Sequence, residues 1–265
     1  MKTTLFERGL RDPAMSIRGV FFDLYGTLLV YGDMQAAWTE WLEAFYGCMQ
    51  KQGLSISIDA FSSRCDRFFS KEEPLPGQDG LTVFERRIKM LGIESGVELT
   101  PDHIGIMANT VVYAWQKHVS IDEEAVPVLR SLKRRKVLCL ISNFDHPPHV
   151  YRILSKYGLD SLFRKVIISA EVGYRKPDPM IFTKALEGTG LHGREVAYVG
   201  DTEEDVTGAL AASMKPVVIR REKNGTDHRS LDYSFDKSIR PNPADSDPST
   251  KALVVTSLKE LSSMF

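Results

Sequence analysis

The sequence has few cysteines, no long apolar run and almost no net charge, and each shortage narrows the function. Only three of 265 residues are cysteine. Cys48, Cys65 and Cys139 are odd in number, far apart and without metal-ligand spacing, the pattern expected in a reducing compartment. No stretch approaches the ~20 apolar residues of a membrane span. Met1 to Ser16 carry charges throughout and lack the apolar core of a signal peptide. The expectation is a cytoplasmic protein with no membrane partner and a short N-terminal tail over residues 1–16. Lys and Arg number 34 against 35 Asp and Glu, a formal net charge of −1, which leaves no global electrostatic case for a nucleic-acid partner. The basic run Lys133-Arg134-Arg135-Lys136 reads as a solvated helix end, where cations suit the helix dipole.

What is present is enough apolar material for a sizeable core, 43% of the chain, and strands that end in polar residues. Val20-Phe21-Phe22-Asp23-Leu24-Tyr25-Gly26-Thr27-Leu28-Leu29 reads as a buried strand entering a tight turn at Gly26. It places Asp23 at the carboxyl end of that strand, where open α/β sheets bind ligands. The periodicity then becomes helical. Helices are expected over Met34–Gln52, Asp59–Glu72, Thr82–Leu91 and, after a Thr100 cap, Pro101–Val119. Pro74 to Gly80 is a loop. The block over residues 33–119 has no strand of its own and reads as a small helical bundle. Its aromatics, Trp38, Trp41 and Phe45 among them, are expected to form its core.

From Ile121 the chain alternates helix and strand: helix Asp122–Lys136, strand Val137–Ile141, helix Pro148–Tyr157, strand Val166–Ile168, helix Asp178–Glu187, strand Val196–Val199, helix Glu203–Ser213 and strand Pro216–Ile219. A polar segment, Glu222–Lys251, precedes a last strand, Ala252–Val255, and a helix, Ser257–Leu261. That segment exceeds an ordinary connection and reads as a tolerated surface insertion, a mobile loop or a contact surface. The alternation predicts the α/β class: a doubly wound parallel sheet formed by residues 17–32 and 120–265, with the helical bundle inserted after its first strand.

Three later strand ends carry chemistry. Ser142-Asn143 sets a hydroxyl and an amide where backbone N–H groups can hold an anion. Lys176 lies between a Gly loop and a Pro-started helix. Gly200-Asp201-Thr202-Glu203-Glu204-Asp205 ends a strand in one carboxylate and adds another four residues on. Each segment alone is an ordinary cap or loop. Together and in this order they converge on Asp23.

With Asp23-Leu24-Tyr25-Gly26-Thr27, Ser142-Asn143, Lys176-Pro177 and Gly200-Asp201-Thr202-Glu203-Glu204-Asp205 in sequence, the chain resembles the haloacid dehalogenase (HAD) superfamily over nearly all of residues 17–221. The resemblance implies a Rossmann-like core with a helical cap after the first strand. It implies Asp23 as nucleophile, forming an aspartyl intermediate, and Lys176 as a second catalytic group. Thr27, Ser142, Asn143 and Lys176 then bind phosphate, and Mg²⁺ is held by Asp23, the Tyr25 backbone carbonyl, Asp201 and Asp205. The implied activity is Mg²⁺-dependent hydrolysis of a small phosphorylated metabolite.

One residue departs from that pattern. HAD phosphatases usually carry a second Asp, a general acid and base, where this chain has Tyr25. A phenol with a pKa near 10 donates a proton but is a poor base at neutrality. Tyr at this position resembles the haloacid dehalogenases, whose halide leaves without a proton, so 2-haloacid dehalogenation is the alternative. Against it, the metal-free dehalogenases replace the fourth-motif acid that this chain keeps as Asp201 and Asp205. Carboxylates about 4 Å apart repel by roughly 4 kcal/mol at an effective dielectric of 20, a cost that a divalent cation converts into binding. The dehalogenases also carry a Tyr six residues after the Lys, where this chain has Phe182. A third reading is a HAD-like binding protein without turnover.

Overall fold

The computed structural model describes residues 16–66, 68–69, 71–74, 79–221 and 252–265. The expected tail, except for Ser16, and the polar segment 222–251 lie outside these residues. Strands β1 (Gly19–Phe22) and β2 (Leu29–Tyr31) are followed by helices α1 (Met34–Gln50), α2 (Ile58–Cys65), α3 (Val83–Glu94) and α4 (Pro101–Gln116), then by β3 (Val119–Ile121). The chain continues as α5 (Ala125–Lys133), β4 (Val137–Ser142), α6 (Pro147–Lys156), β5 (Lys165–Ile168), α7 (Ser169–Val172), α8 (Pro179–Thr189), β6 (Val196–Gly200), α9 (Glu203–Ala211), β7 (Lys215–Ile219), β8 (Leu253–Val255) and α10 (Glu260–Met264).

The most apolar runs form one six-stranded sheet in the order β5-β4-β1-β6-β7-β8, parallel at every pairing. A strand covered by helices on both faces needs no polar side, which is why these runs do not alternate. β1 is central: Phe22 pairs with Leu140 of β4 and with Val199 of β6. The register fixes the site, because Asp23, Ser142 and Asp201 all follow these partners at the carboxyl edge of the sheet. The predicted α/β class and inserted helices are what the chain adopts.

The helices α1 to α4 bury an aromatic core in which Phe45 packs edge-on against Phe61 and Phe68, with ring centroids 5.2 and 5.6 Å apart. Side-chain oxygens of Asp33, Ser57, Thr82 and Thr100 cap these helices, satisfying N–H groups that the first turn leaves open. The insertion also contacts the loop after β4, where the Phe84 N–H donates to Asp145 O across 3.0 Å.

The structure corrects several boundaries. Val119 starts β3, which pairs antiparallel with β2 at the base of the insertion, so the helix before it ends at Gln116 and this part of the chain does carry strands. Helix α2 ends at Cys65, short of Glu72. The Arg87 guanidinium binds the carbonyls of Phe68 and Lys71, at 3.1 and 2.9 Å, and so takes those groups out of helical bonding. Helix α5 starts at Ala125 instead of Asp122 because the Asp122 carboxylate bonds Glu124 N and Arg221 in a turn before it. The last helix starts at Glu260, whose carboxylate accepts from Thr256 N and Ser257 N and holds that stretch as a turn.

Candidate active site

Asp23 continues β1 by one residue, its N–H donating to Val199 O at 2.9 Å. The chain then turns back sharply, with Leu28 N and Leu29 N both bonded to Leu24 O. Gly26 sits in this turn at φ +89°, and a Cβ there would meet the Asp201 carboxylate at 2.2 Å. Glycine is required both for the backbone conformation and for the approach of Asp201. Arg221 clamps the turn from outside, donating to Gly26 O at 2.7 Å and Thr27 O at 2.6 Å while paired with Asp122.

The second acidic segment combines a helix cap with the site. Thr202 and Asp205 form a capping box at the start of α9, where a carboxylate also suits the helix dipole. Asp205 Oδ2 accepts from Asp201 N (3.2 Å), Thr202 N (3.1 Å) and Thr202 Oγ1 (2.7 Å). Its other oxygen accepts from Lys176 Nζ (2.7 Å) and Tyr198 Oη (2.9 Å). With both oxygens engaged, Asp205 organises the loop of Asp201 and fixes the Lys176 ammonium.

Lys176 is 6% exposed and Asp23 5%, and Lys176 Nζ donates to Asp23 Oδ1 at 2.5 Å. Asn143 holds the lysine backbone at both ends: Oδ1 accepts from Lys176 N (2.9 Å) and Nδ2 donates to Lys176 O (3.0 Å). Burial pushes the Asp23 carboxyl up to about 6 despite the lysine, and Asp205 adds to the rise. Burial, with the charges of Asp23 and Asp205, raises Asp201 well above the usual carboxylate range. At Asp205 burial is outweighed by Lys176, which holds that carboxyl below its usual value. The lysine itself is raised by Asp205 and Asp23 against the effect of burial.

One oxygen from each of Asp23, Asp201 and Asp205 lies within 4.8 Å of the others. Hard carboxylate oxygens crowded this closely suit a divalent cation such as Mg²⁺. The residue set therefore fits the metal expected there.

The expected site residues thus come together at one edge. Ser142 is buried at the end of β4. Two of the side chains expected at the phosphate are engaged within the protein. Thr27 Oγ1 donates to Asp201 Oδ1 at 3.3 Å, and the Asn143 carboxamide is committed to the Lys176 backbone. Tyr25 does not extend towards the carboxylates. Its hydroxyl donates to Gln116 Oε1 in α4 at 3.0 Å, and its ring stacks on Phe144 at 5.0 Å. His149 Nε2 lies 2.9 Å from the same Gln116 oxygen, which can only accept, so this nitrogen carries the proton.

Sequence reasoning missed Tyr198, Gln116, His149 and Arg221. Only Tyr198 left a local signal, as a phenol in an otherwise apolar strand. A buried phenol needs a hydrogen-bond partner.

The parallel sheet with its inserted helices and the acid and lysine cluster at its carboxyl edge define a HAD-type hydrolase. The chain belongs to this family: the model described as haloacid dehalogenase-like hydrolase matches residues 17–213, and a second HAD-hydrolase-like model matches residues 173–261. Among curated relatives, the glyceraldehyde 3-phosphate phosphatase of Methanopyrus kandleri is 42% identical over 71 residues, covering 26% of this chain and 30% of that protein. The phosphoserine phosphatase of Thermus thermophilus is 36% identical over 99 residues, covering 37% and 40%. The matches thus span less than half of those two relatives. The phosphoglycolate phosphatase of Yersinia pestis is 26% identical over 198 residues, covering 74% of this chain and 78% of its own. Among solved structures, a HAD phosphatase from Thermococcus onnurineus superposes with TM-score 0.59 at 20% identity, covering 93% and 97% of the two chains. A 2-haloacid dehalogenase from Pseudomonas syringae superposes with TM-score 0.60 at 19% identity, covering 92% and 96%. These two likenesses concern the fold. No described helix is long and apolar enough to cross a membrane.

Proposed function

We propose that the protein is a Mg²⁺-dependent phosphatase that hydrolyses a small phosphorylated metabolite in the cytoplasm through an aspartyl phosphate on Asp23. The observation that carries this reading is the retained acid pair: Asp201 and Asp205 each bring an oxygen within 4.8 Å of an Asp23 oxygen. Halide displacement by Asp23 alone needs neither acid. Phosphoryl transfer needs charge neutralised on the nucleophile and on the transferred oxygens. The relatives named as phosphatases support the same class.

In this reading Asp23 attacks phosphorus in line with the departing oxygen, and water then hydrolyses the acyl phosphate. Lys176, held at its backbone by Asn143 and at its ammonium by Asp205, donates to the phosphoryl oxygens. Ser142 and backbone N–H groups at the end of β4 complete the cradle. Asp23, the Tyr25 carbonyl, Asp201 and Asp205 would hold the metal, Asp205 also fixing the loop of Asp201. Bound Mg²⁺ supplies charge neutralisation at the Asp23 carboxylate and the phosphoryl group. Residues 33–119 act as a cap that excludes water and contacts the rest of the substrate.

Tyr25 favours a second reading, 2-haloacid dehalogenation, because no acid occupies its position. Phe182 speaks against it: it is fully buried and packs edge-on against Tyr198 at 4.9 Å, an apolar core role. A panel of phosphate esters and 2-haloacids, run with Mg²⁺ and with excess chelator, decides between them. Phosphate release that needs Mg²⁺ is expected. Halide release that persists in chelator would establish the dehalogenase.

A further inference from the structure

A cavity of about 330 Å³ lies between the helical insertion and the loop after β4. That is roughly twice the ~150 Å³ that admits benzene into an engineered apolar cavity. Six aromatic residues stand in its wall: Trp38, Trp41, Phe69, Phe84, Trp115 and Phe144. Several of these rings brace one another, Phe69 stacking on Phe84 at 5.8 Å and Trp38 meeting Trp41 edge-on at 5.7 Å. The ionic groups in the wall are paired: Lys71 lies 3.3 Å from Glu94 outside the wall, and Arg87 and Arg175 meet the wall carboxylates Glu73 and Asp145. Arg175 Nη1 bonds Glu73 at 2.6 Å and Asp145 at 3.2 Å, and Arg87 Nε bonds Asp145 at 2.9 Å. Three buried wall residues also carry a nitrogen with no partner among the described residues: the donors Arg87 Nη2 and Trp115 Nε1, and His146 Nε2. Native proteins rarely leave such donors without a partner. The cavity shares Asn143 with the strand end that carries Ser142, so it adjoins the reacting groups without including Asp23 in its wall.

A second, independent feature concerns the leaving group. The residue two positions after the nucleophile is Tyr25, and its proton goes to Gln116. No acid stands there to protonate a departing alkoxide. A phenolate, with a conjugate acid near pKa 10, leaves without that help.

We infer that the cavity receives the leaving group of the substrate and that this group is an aromatic alcohol bearing a carboxylate or another hydrogen-bond acceptor. The substrate class is an aryl phosphate monoester. The inference rests on the phosphatase reading and gives it a substrate. The Asp23–phosphorus bond forms as the bond from phosphorus to the aryl oxygen breaks, and that oxygen leaves with the electron pair as phenolate. Water then adds to phosphorus, releases the Asp23 carboxylate and yields inorganic phosphate, and its proton goes to solvent. The ring lies among the aromatic walls, and its acceptor meets the open donors of Arg87 and Trp115.

The test measures kcat/KM with Mg²⁺ for acetyl phosphate, phenyl phosphate, 3-carboxyphenyl phosphate and glycerol phosphate. Acetyl phosphate needs neither the cavity nor an acid, so it reports on the phosphatase reading alone. Expected are 3-carboxyphenyl phosphate ahead of phenyl phosphate by about tenfold and both ahead of glycerol phosphate by about a hundredfold or more. Val112→Phe, which fills the cavity from α4, is expected to lower the ratio of aryl to acetyl phosphate by about tenfold. Trp115→Phe, which keeps a ring but removes the donor, is expected to narrow the preference for the carboxylated substrate several-fold. As a readout independent of turnover, 3-hydroxybenzoate is expected to quench the tryptophan fluorescence of the wild type saturably, which keeps the test open if either variant fails to fold. Acetyl phosphate turnover with aryl and glycerol phosphates cleaved equally, or saturable quenching unchanged by a folded Val112→Phe, overturns the inference and leaves the phosphatase reading standing. No turnover of any phosphate overturns both.

Discussion

Tyr25 donates to Gln116 Oε1 across 3.0 Å, which ties the loop of the nucleophile to the last turn of α4. Gln116 Nε2 in turn donates to Val119 O at 3.0 Å, so one carboxamide joins the turn after β1 to the strand on which the insertion returns to the sheet. His149 reaches the same oxygen from α6 at 2.9 Å, and Phe144 stacks between its ring and that of Tyr25. This polar network lies at the junction of core and insertion.

His149 gives that junction a pH dependence. Burial, with Arg152, His146 and Lys156 as like charges, lowers its pKa to about 3, against about 6.5 in the unfolded chain. Between these values the unfolded state binds the extra proton, so stability is highest above about pH 6.5 and falls as the pH drops towards 3. His146 is lowered as well, mainly by burial, and acts in the same sense. At about 1.4 kcal/mol per tenfold in proton affinity, His149 alone accounts for a loss on the order of 4 kcal/mol by pH 3. His149→Gln is expected to flatten this acid limb in denaturant unfolding followed from pH 7 to pH 4. An unchanged slope would show that the imidazole is not the responsible group.

Lys176 is a buried cation between Asp23 and Asp205 at 2.5 and 2.7 Å. Lys176→Met is expected to destabilise the metal-free protein by about 3–5 kcal/mol, because it leaves buried carboxylates without their partner. Added Mg²⁺ is expected to recover part of the loss by binding the same carboxylates. Thermal and denaturant unfolding with and without Mg²⁺ check both parts, and a variant as stable as the wild type without metal would rule out this ion-pair account.

Asp23→Asn is expected to lower turnover by roughly 10³-fold or more, because the amide keeps the shape but cannot form the acyl phosphate. Circular dichroism and unfolding should show a retained fold. Asp201→Ala is expected to abolish Mg²⁺ binding together with the activity, with the binding followed by calorimetry. Substantial phosphate release by purified, folded Asp23→Asn would remove Asp23 from the role of nucleophile.

Asp23, Ser142, Lys176 and Asp201 were legible in the sequence because three of them end or follow an apolar run and Lys176 lies between a Gly loop and a Pro-started helix, signals contained within a few residues. The topology then does the rest, since parallel strands in register bring their ends to one edge. The partners that tune those residues left no such signal. Gln116 lies 91 positions from Tyr25, and Arg221 lies 195 from the Gly26 carbonyl it binds, distances over which periodicity carries nothing. β2 and β3 were missed for a related reason, since strands of three residues are defined only by their pairing with each other. The aromatics of α1 were expected to be core, which Phe45 is. Trp38 and Trp41 also line the cavity, because helical spacing shows which residues share a face but not whether the opposing surface fills it.

Tyr25→Asp tests the leaving-group argument directly. The wild type, with the Tyr25 proton directed to Gln116, is expected to show a rate that falls steeply as the leaving group becomes more basic, since an unprotonated alkoxide departs poorly. A carboxyl group at this position restores the acid. The substitution removes a ring stacked on Phe144 at 5.0 Å and set 5.4 Å from Trp115, and a stability loss of about 2–3 kcal/mol is expected from the void. The measurement is kcat/KM across phosphate monoesters of graded leaving-group pKa, on both proteins, at a temperature where unfolding scans show each to be folded. The expected result is a shallower dependence in Tyr25→Asp, with the ratio of alkyl to aryl turnover raised about tenfold. A wild type already indifferent to leaving-group basicity would mean that another group supplies the proton. The geometry around Tyr25 would then serve only to hold the insertion against the core.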